Sequence, residues 1–184
     1  MGFGILILGV ALWWAAHLFK RVAPERRAVM GDKGRGPVAL ALVASVVLMV
    51  IGYKLAPYVH VWAPPAFAIH LNNVLMLVAI WMMSPAGTKG KILSNVRHPM
   101  LMGFRTWAVA HLLVNGDLAS MILFGGLLLW GMVSVVVINK AEPDWSPRTD
   151  GSIAKDGMFF VASIVLLVII GYIHGLVGPV PFPS

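Results

Sequence analysis

The feature that most restricts how this chain can fold is the recurrence of long apolar stretches that carry at most one charge. Six such runs lie at about 3–19, 37–56, 66–83, 99–114, 118–139 and 157–177. A helix crossing the hydrocarbon of a bilayer needs about 20 apolar residues, so a chain of 184 residues is filled by these runs and the turns between them. With 59% hydrophobic residues, 11% charged residues and a mean hydropathy of +0.87, the chain is far from the roughly one-quarter charged content of soluble domains. An ordinary soluble enzyme is excluded. The expected fold is all-α: a polytopic membrane helix bundle of about six transmembrane helices forming a single domain over 1–184. The first run has no basic segment before it and no small-residue cleavage motif after it, so it reads as a retained helix and not as a removed signal peptide. The fourth run is short and holds Arg105 in its middle, which requires that side chain to face protein, water or a cofactor instead of lipid.

Loop charges set the expected orientation. Lys20, Arg21, Arg26, Arg27, Lys33 and Arg35 follow the first run; Lys89, Lys91 and Arg97 follow the third; Lys140, Arg148 and Lys155 follow the fifth. Of the 14 basic residues only Lys54 and Arg105 fall elsewhere. Lys and Arg are retained in cytoplasmic loops, so both termini are expected outside, in a bacterial inner membrane. The net charge of +7 then reflects topology and attraction to anionic headgroups. It does not indicate nucleic acid, because the basic residues are scattered over separate loops and do not form one aromatic-interleaved patch. The fifth loop is the longest polar stretch, broken by Pro143, Pro147 and Gly151, and reads as a surface loop; the tail GPVPFPS reads as irregular. No internal repeat is evident.

The absence of cysteine removes disulfides, thiolate nucleophiles, iron–sulfur clusters and Cys-type zinc sites. A metal must use His, Met, Asp or Glu. The densest intramembrane polar cluster is NVRHPMLMGFRTWAVAHLLVNGD, residues 95–117. Pro99 disfavours helix at His98 and suits the first turn of the helix that follows, which puts His98 at the mouth of the fourth helix. Arg105, two turns on, shares a stripe with His98 and Met102. His111 is about 20 Å further along and rotated by roughly 140° from His98, so one straight helix cannot bring both to one metal atom.

Depth sorts the remaining histidines. His17 ends the first helix at the level of His98, with Trp13 one turn away, and these two can meet at one metal centre; His60, His70, His111 and His174 lie towards the other face and can build another. Asn72 and Asn73 either hydrogen-bond between helices or line a polar pocket. Asn115-Gly116-Asp117 is a tight-turn signal. Glu142 and Asp144 read as loop charges, with Glu142 near enough to face His98. Trp107 and His111, four residues apart, share a face.

The run RHPMLMGFRTWAVAHLLVNGD, with WWAAHLFKR near the start and HLNNVLMLVAI in the third run, resembles the NnrU family of bacterial membrane proteins, which is associated with denitrification and nitric oxide metabolism. That family is similar to 15-cis-zeta-carotene isomerase, a membrane protein that binds haem b and isomerises a polyene. The resemblance implies a haem b held by histidines with redox-dependent ligand exchange, and carries the ligands onto His17 and His111; His98 and His60 match other family histidines. The isomerases have a cysteine where this chain has Ala108, so thiolate ligation there is impossible. His17 and His111 can share an iron only if the first or fourth helix is broken or displaced, with Pro99 and Gly103 the place for a break. The residues alone favour His17 with His98 at the iron, and both pairs stay open. In either case Arg97 and Arg105 suit haem propionates.

A more distant resemblance is to isoprenylcysteine carboxyl methyltransferases. It rests on Arg97, His98, Pro99, Gly103 and Glu142, and implies S-adenosylmethionine held at the membrane surface by the Arg-His-Pro turn and the acidic residue. Three function classes follow: a haem-binding isomerase or redox protein acting on a hydrophobic small molecule, a methyltransferase, and a non-catalytic partner of a membrane redox complex.

Overall fold

The computed structural model describes residues 1–182, and among these the chain is helical with no β-strand, only two isolated bridges. The six apolar runs are all helices: α1 (Gly2–Val22), α3 (Arg35–Leu55), α4 (Ala68–Met83), α6 (Pro99–Val114), the pair α7 (Leu118–Ser120) and α8 (Gly126–Ala141) joined by a π-turn at Met121–Gly125, and α9 (Ile153–Val177). Short helices α2 (Pro24–Val29) and α5 (Ala86–Lys89) lie in the loops. Four segments are long and apolar enough to cross a membrane: Gly2–Val22, Gly31–Leu55, Leu118–Ala141 and Ile153–Val177. The expectation of six is thus met in helices but not in lengths. α4 and α6 have 16 residues each, about 24 Å at 1.5 Å per residue, against about 30 Å of hydrocarbon. Prolines set those limits, because Pro64, Pro65 and Pro85 bound α4 and Pro99 opens α6.

The helices sort into two compact units. The first comprises 1–63 and 116–141. In it α1 and α3 form an antiparallel hairpin whose backbones nearly touch: a Cβ on Gly9 would lie 2.7 Å from the Met49 nitrogen, and one on Gly52 would lie 2.6 Å from the Leu6 Cα. Ser45 is fully buried there and its hydroxyl donates to the Leu42 carbonyl at 2.7 Å. Ile7, Leu8, Val43, Val47 and Val50 point outwards. Gly2, Gly9, Ser45 and Gly52 are buried in the seam together with Leu6, Val10 and Met49, and small residues at the seam with large apolar ones facing out is the packing expected where lipid, not water, surrounds the helices. Trp14 Nε1 donates at 3.0 Å to the Gly126 carbonyl just past the π-turn. Asp117 caps α7, accepting from the Ser120 amide at 2.9 Å and its hydroxyl at 2.6 Å, while the Gly116 carbonyl accepts from the amides of Val61 and Trp62. The Asn-Gly-Asp segment read as a tight turn is instead extended, with Asn115 at φ −120° and ψ 107° and Asp117 at φ −105° and ψ 159°, and Asp117 serves as a helix cap.

The second unit comprises 64–115 and 142–184, of which Pro183 and Ser184, the end of the tail read as irregular, lie outside the described residues. α4 and α6 pack closely at Gly103, where a Cβ would lie 2.7 Å from the Ala79 carbonyl oxygen, and Ala79, Ala108 and Ala110 are buried. α9 buries only Asp156, Ser163 and Gly171, all on one face, and exposes its other sides. Met82, Ala86 and Leu93 form a small core under the 84–98 loop, with Phe159 packed on it.

Candidate functional site

The histidines are positioned by the helices that carry them. In the first unit the His17 ring donates from Nδ1 to the Trp13 carbonyl at 3.0 Å and lies 4.1 Å from the Trp13 ring and 4.6 Å from the Trp130 ring. A carbonyl only accepts, so the proton is on Nδ1 and the lone pair of the neutral ring is on Nε2. In the second unit His111 repeats the device: Nδ1 donates to the Trp107 carbonyl at 3.0 Å, with the rings 5.0 Å apart. Both belong to the pattern W-x-x-A-H, WWAAH at 13–17 and WAVAH at 107–111. This repetition is legible in the sequence once the four-residue spacing is tied to a side-chain-to-backbone bond.

Of the other residues singled out from the sequence, His98, Arg97, Arg105 and Glu142 lie in the second unit with His111, and His60 lies in the first. His98 is the N-cap of α6 with φ −129° and ψ 65°, and Pro99 occupies the first turn, as the Pro rule required. Arg97 donates through Nη2 to the Glu142 backbone carbonyl, which joins the Arg-His-Pro turn to the loop after α8. Arg105 is half-buried and its Nε bonds the Leu101 carbonyl at 3.3 Å along its own helix. α6 is continuous from Pro99 to Val114 and α1 from Gly2 to Val22, so neither helix has the break considered for a shared His17–His111 iron.

The expected cluster of four histidines, His60, His70, His111 and His174, does not form. Among the described residues no three His, Cys, Asp or Glu side chains gather to hold a metal ion. His60 and His70 are exposed. His111 and His174 line a small cavity of about 40 Å³ with Asn72 and Asn73. Asn72 is buried and donates to Asn73 Oδ1 at 3.0 Å, leaving its own Oδ1 without a hydrogen-bond partner; Asn73 donates to the Pro181 carbonyl at 3.0 Å. His174 Nδ1 donates to the Pro179 carbonyl at 2.8 Å. The asparagine pair therefore lines a pocket and fastens the tail.

Two further charged residues, Arg148 and Asp156, are built into the second unit. The Asp156 side chain is 3% exposed and accepts from the backbone amides of Lys91 at 2.6 Å and Ile92 at 3.0 Å. Arg148 donates to the carbonyls of Thr88, Gly87 and Gly90. No periodicity marks either; the pairing of Gly90 with Gly151, which meet backbone to backbone, is the available hint.

No curated protein and no solved structure is significantly similar to the chain. The profile of the family described as NnrU protein matches residues 5–181, from the first turn of α1 into the tail. That span takes in both W-x-x-A-H turns, the Arg-His-Pro cap and the Asn-Gly-Asp segment, and with it the chain belongs to the NnrU family.

Proposed function

We propose that this NnrU protein is a multi-pass protein of the bacterial cytoplasmic membrane that binds haem b through histidine, with His17, His111 and His98 the candidate ligands. The observation that carries the reading is the paired W-x-x-A-H turn. Each ring is fixed through Nδ1 and offers Nε2 as its ligating atom, the arrangement in which imidazole binds metals best. Haem would supply an iron able to change oxidation state and exchange an axial ligand, chemistry suited to nitric oxide metabolism or to polyene cis–trans isomerisation. In this reading α4 and α6 also cross the membrane, giving six spans with both termini outside, in keeping with the placement of the basic loops.

The test is the absorption spectrum of the detergent-purified protein. A Soret band that moves on reduction is expected, lost in His17→Ala and His111→Ala and kept in His98→Ala. Loss in His98→Ala with retention in His111→Ala would assign the iron to His17 and His98 instead, and a colourless wild type reconstituted with haem would end the reading. One observation favours a second reading: the Arg97 bond to the Glu142 carbonyl places the Arg-His-Pro turn beside the acidic loop, as a methyltransferase using S-adenosylmethionine requires. A colourless protein that binds S-adenosylmethionine, and loses it in His98→Ala, would establish that reading; binding of neither would leave a non-catalytic partner of a redox complex.

A further inference from the structure

Three cations of the first unit share one concave face at the ends of two membrane-length helices. Lys20 in the last turn of α1, Arg27 on α2 and Arg35 at the start of α3 line a cavity of about 570 Å³ with Pro24, Gly31 and Asp32. Both guanidinium groups have partners on the same face. Arg27 Nη1 donates to the Gly31 carbonyl at 2.7 Å, and its guanidinium lies against Gly34, where a Cβ would come within 2.9 Å of Nη1. Arg35 is held by Asp32 at 3.1 Å, and Asp32 is the sole acid lining the cavity. Its carboxylate is thus already engaged, and the face keeps a net positive charge. Lys20, Arg27 and Arg35 set three positive charges against one carboxylate around this open space. The spans Gly2–Val22 and Gly31–Leu55 both end at this face, which sets it at headgroup depth, where phosphate is the abundant anion.

We infer that this face binds the phosphodiester of an anionic phospholipid, with Arg27 and Arg35 as fork-shaped donors and Lys20 as a third charge. Guanidinium matches phosphate oxygens in pairs, and each basic residue near an anionic surface strengthens binding about fivefold. The site is independent of the haem reading, since none of its residues belongs to a W-x-x-A-H turn.

The experiment uses the full-length protein in a non-ionic detergent, titrated with phosphatidylglycerol, phosphatidylcholine or inorganic phosphate, with retained lipid counted by native mass spectrometry. Preference for phosphatidylglycerol is expected, weakened about a hundredfold in Lys20→Gln/Arg27→Gln/Arg35→Gln. Because Arg27 also braces the loop, Lys20→Gln/Arg35→Gln serves as the second variant, expected to lose about 25-fold with an unchanged circular dichroism spectrum. The control Lys89→Gln/Lys91→Gln/Lys155→Gln removes equal charge from other loops and should retain wild-type preference. Equal loss in the control would reduce the effect to net charge and overturn the site. So would equal retention of the two lipids by the wild type, and competition by millimolar inorganic phosphate would assign the site to free phosphate instead of lipid.

Discussion

A histidine four residues after a tryptophan is, in the general case, an unremarkable neighbour on a helix face, and what distinguishes His17 and His111 is the atom that each ring directs to the backbone. A helical carbonyl is ordinarily taken by the amide four residues on; the additional bond from Nδ1, 3.0 Å in both turns, fixes the ring's tautomer and limits its rotation. This was half legible: the Trp–His spacing could be read, but the tautomer is set by a bond that composition does not reveal. Close approach at glycines is legible only in retrospect, because a helical glycine reads the same whether it faces lipid or another backbone. Gly103 and Gly4 separate the two cases. A Cβ at Gly103 would meet the Ala79 carbonyl at 2.7 Å, whereas one at Gly4 would meet nothing within 4 Å. Gly103→Ala should therefore destabilise the second unit by about 1–3 kcal/mol through overpacking, and Gly4→Ala should be neutral or stabilise by up to about 1 kcal/mol through helix propensity. Melting in detergent checks both, and equal melting temperatures for the two variants would contradict the close packing of α4 on α6.

At the level of elements, the apolar runs located every long helix to within a few residues, because loss of charge and the positions of proline are local properties. The loops were misjudged for the converse reason. Arg148 and Asp156 are distant in sequence from the 84–98 loop, and charged residues beside Pro147 and Gly151 resemble solvated ones. In the structure they fasten the middle of that loop: Arg148 supplies donors to the last carbonyls of α5 and to Gly90, and Asp156 accepts from the amides that open the Ile92–Asn95 turn. These are the backbone groups that short helices leave without partners. Hydrogen bonds to a charged group contribute about 1.5–3 kcal/mol each, so Asp156→Ala should raise local opening of the loop by at least about tenfold. Trypsin reads this at Lys89 and Lys91, with Asp144→Ala, an exposed residue of the same connecting stretch, expected to cut at the wild-type rate. Unchanged cleavage in Asp156→Ala would mean that Arg148 alone secures the loop.

For the molecule as a whole, the question left by the helix lengths is whether α4 and α6 cross the membrane, and contacts inside each unit bear on it. The Gly116 carbonyl accepts from Val61 and Trp62, and the Leu118 amide donates to Val59, so the 59–62 and 116–118 segments share one side of the bilayer. Arg148 bonds Gly90, and the Ser152 amide bonds the Lys89 carbonyl, so the 84–98 and 148–152 segments also share one side. In the proposed six-span reading, with Leu118–Ala141 crossing the membrane, the chain also crosses through α4 and returns through α6. The shortfall of about 6 Å per helix against a 30 Å core costs fractions of a kcal/mol per Å, which local thinning of the bilayer accommodates. Leaving both helices uncrossed would instead separate Thr88 from Arg148 by a full membrane and place Lys89, Lys91 and Arg97 outside, against the retention of basic loops. Since the chain has no cysteine, single-site thiol labelling has no background. Lys33→Cys, Thr88→Cys and Asp150→Cys should all be shielded from an impermeant maleimide in intact spheroplasts, and Tyr58→Cys should be labelled. Labelling of Thr88→Cys together with Tyr58→Cys would reduce the chain to four spans, and with them would fall the reading of Arg105 as an intramembrane charge.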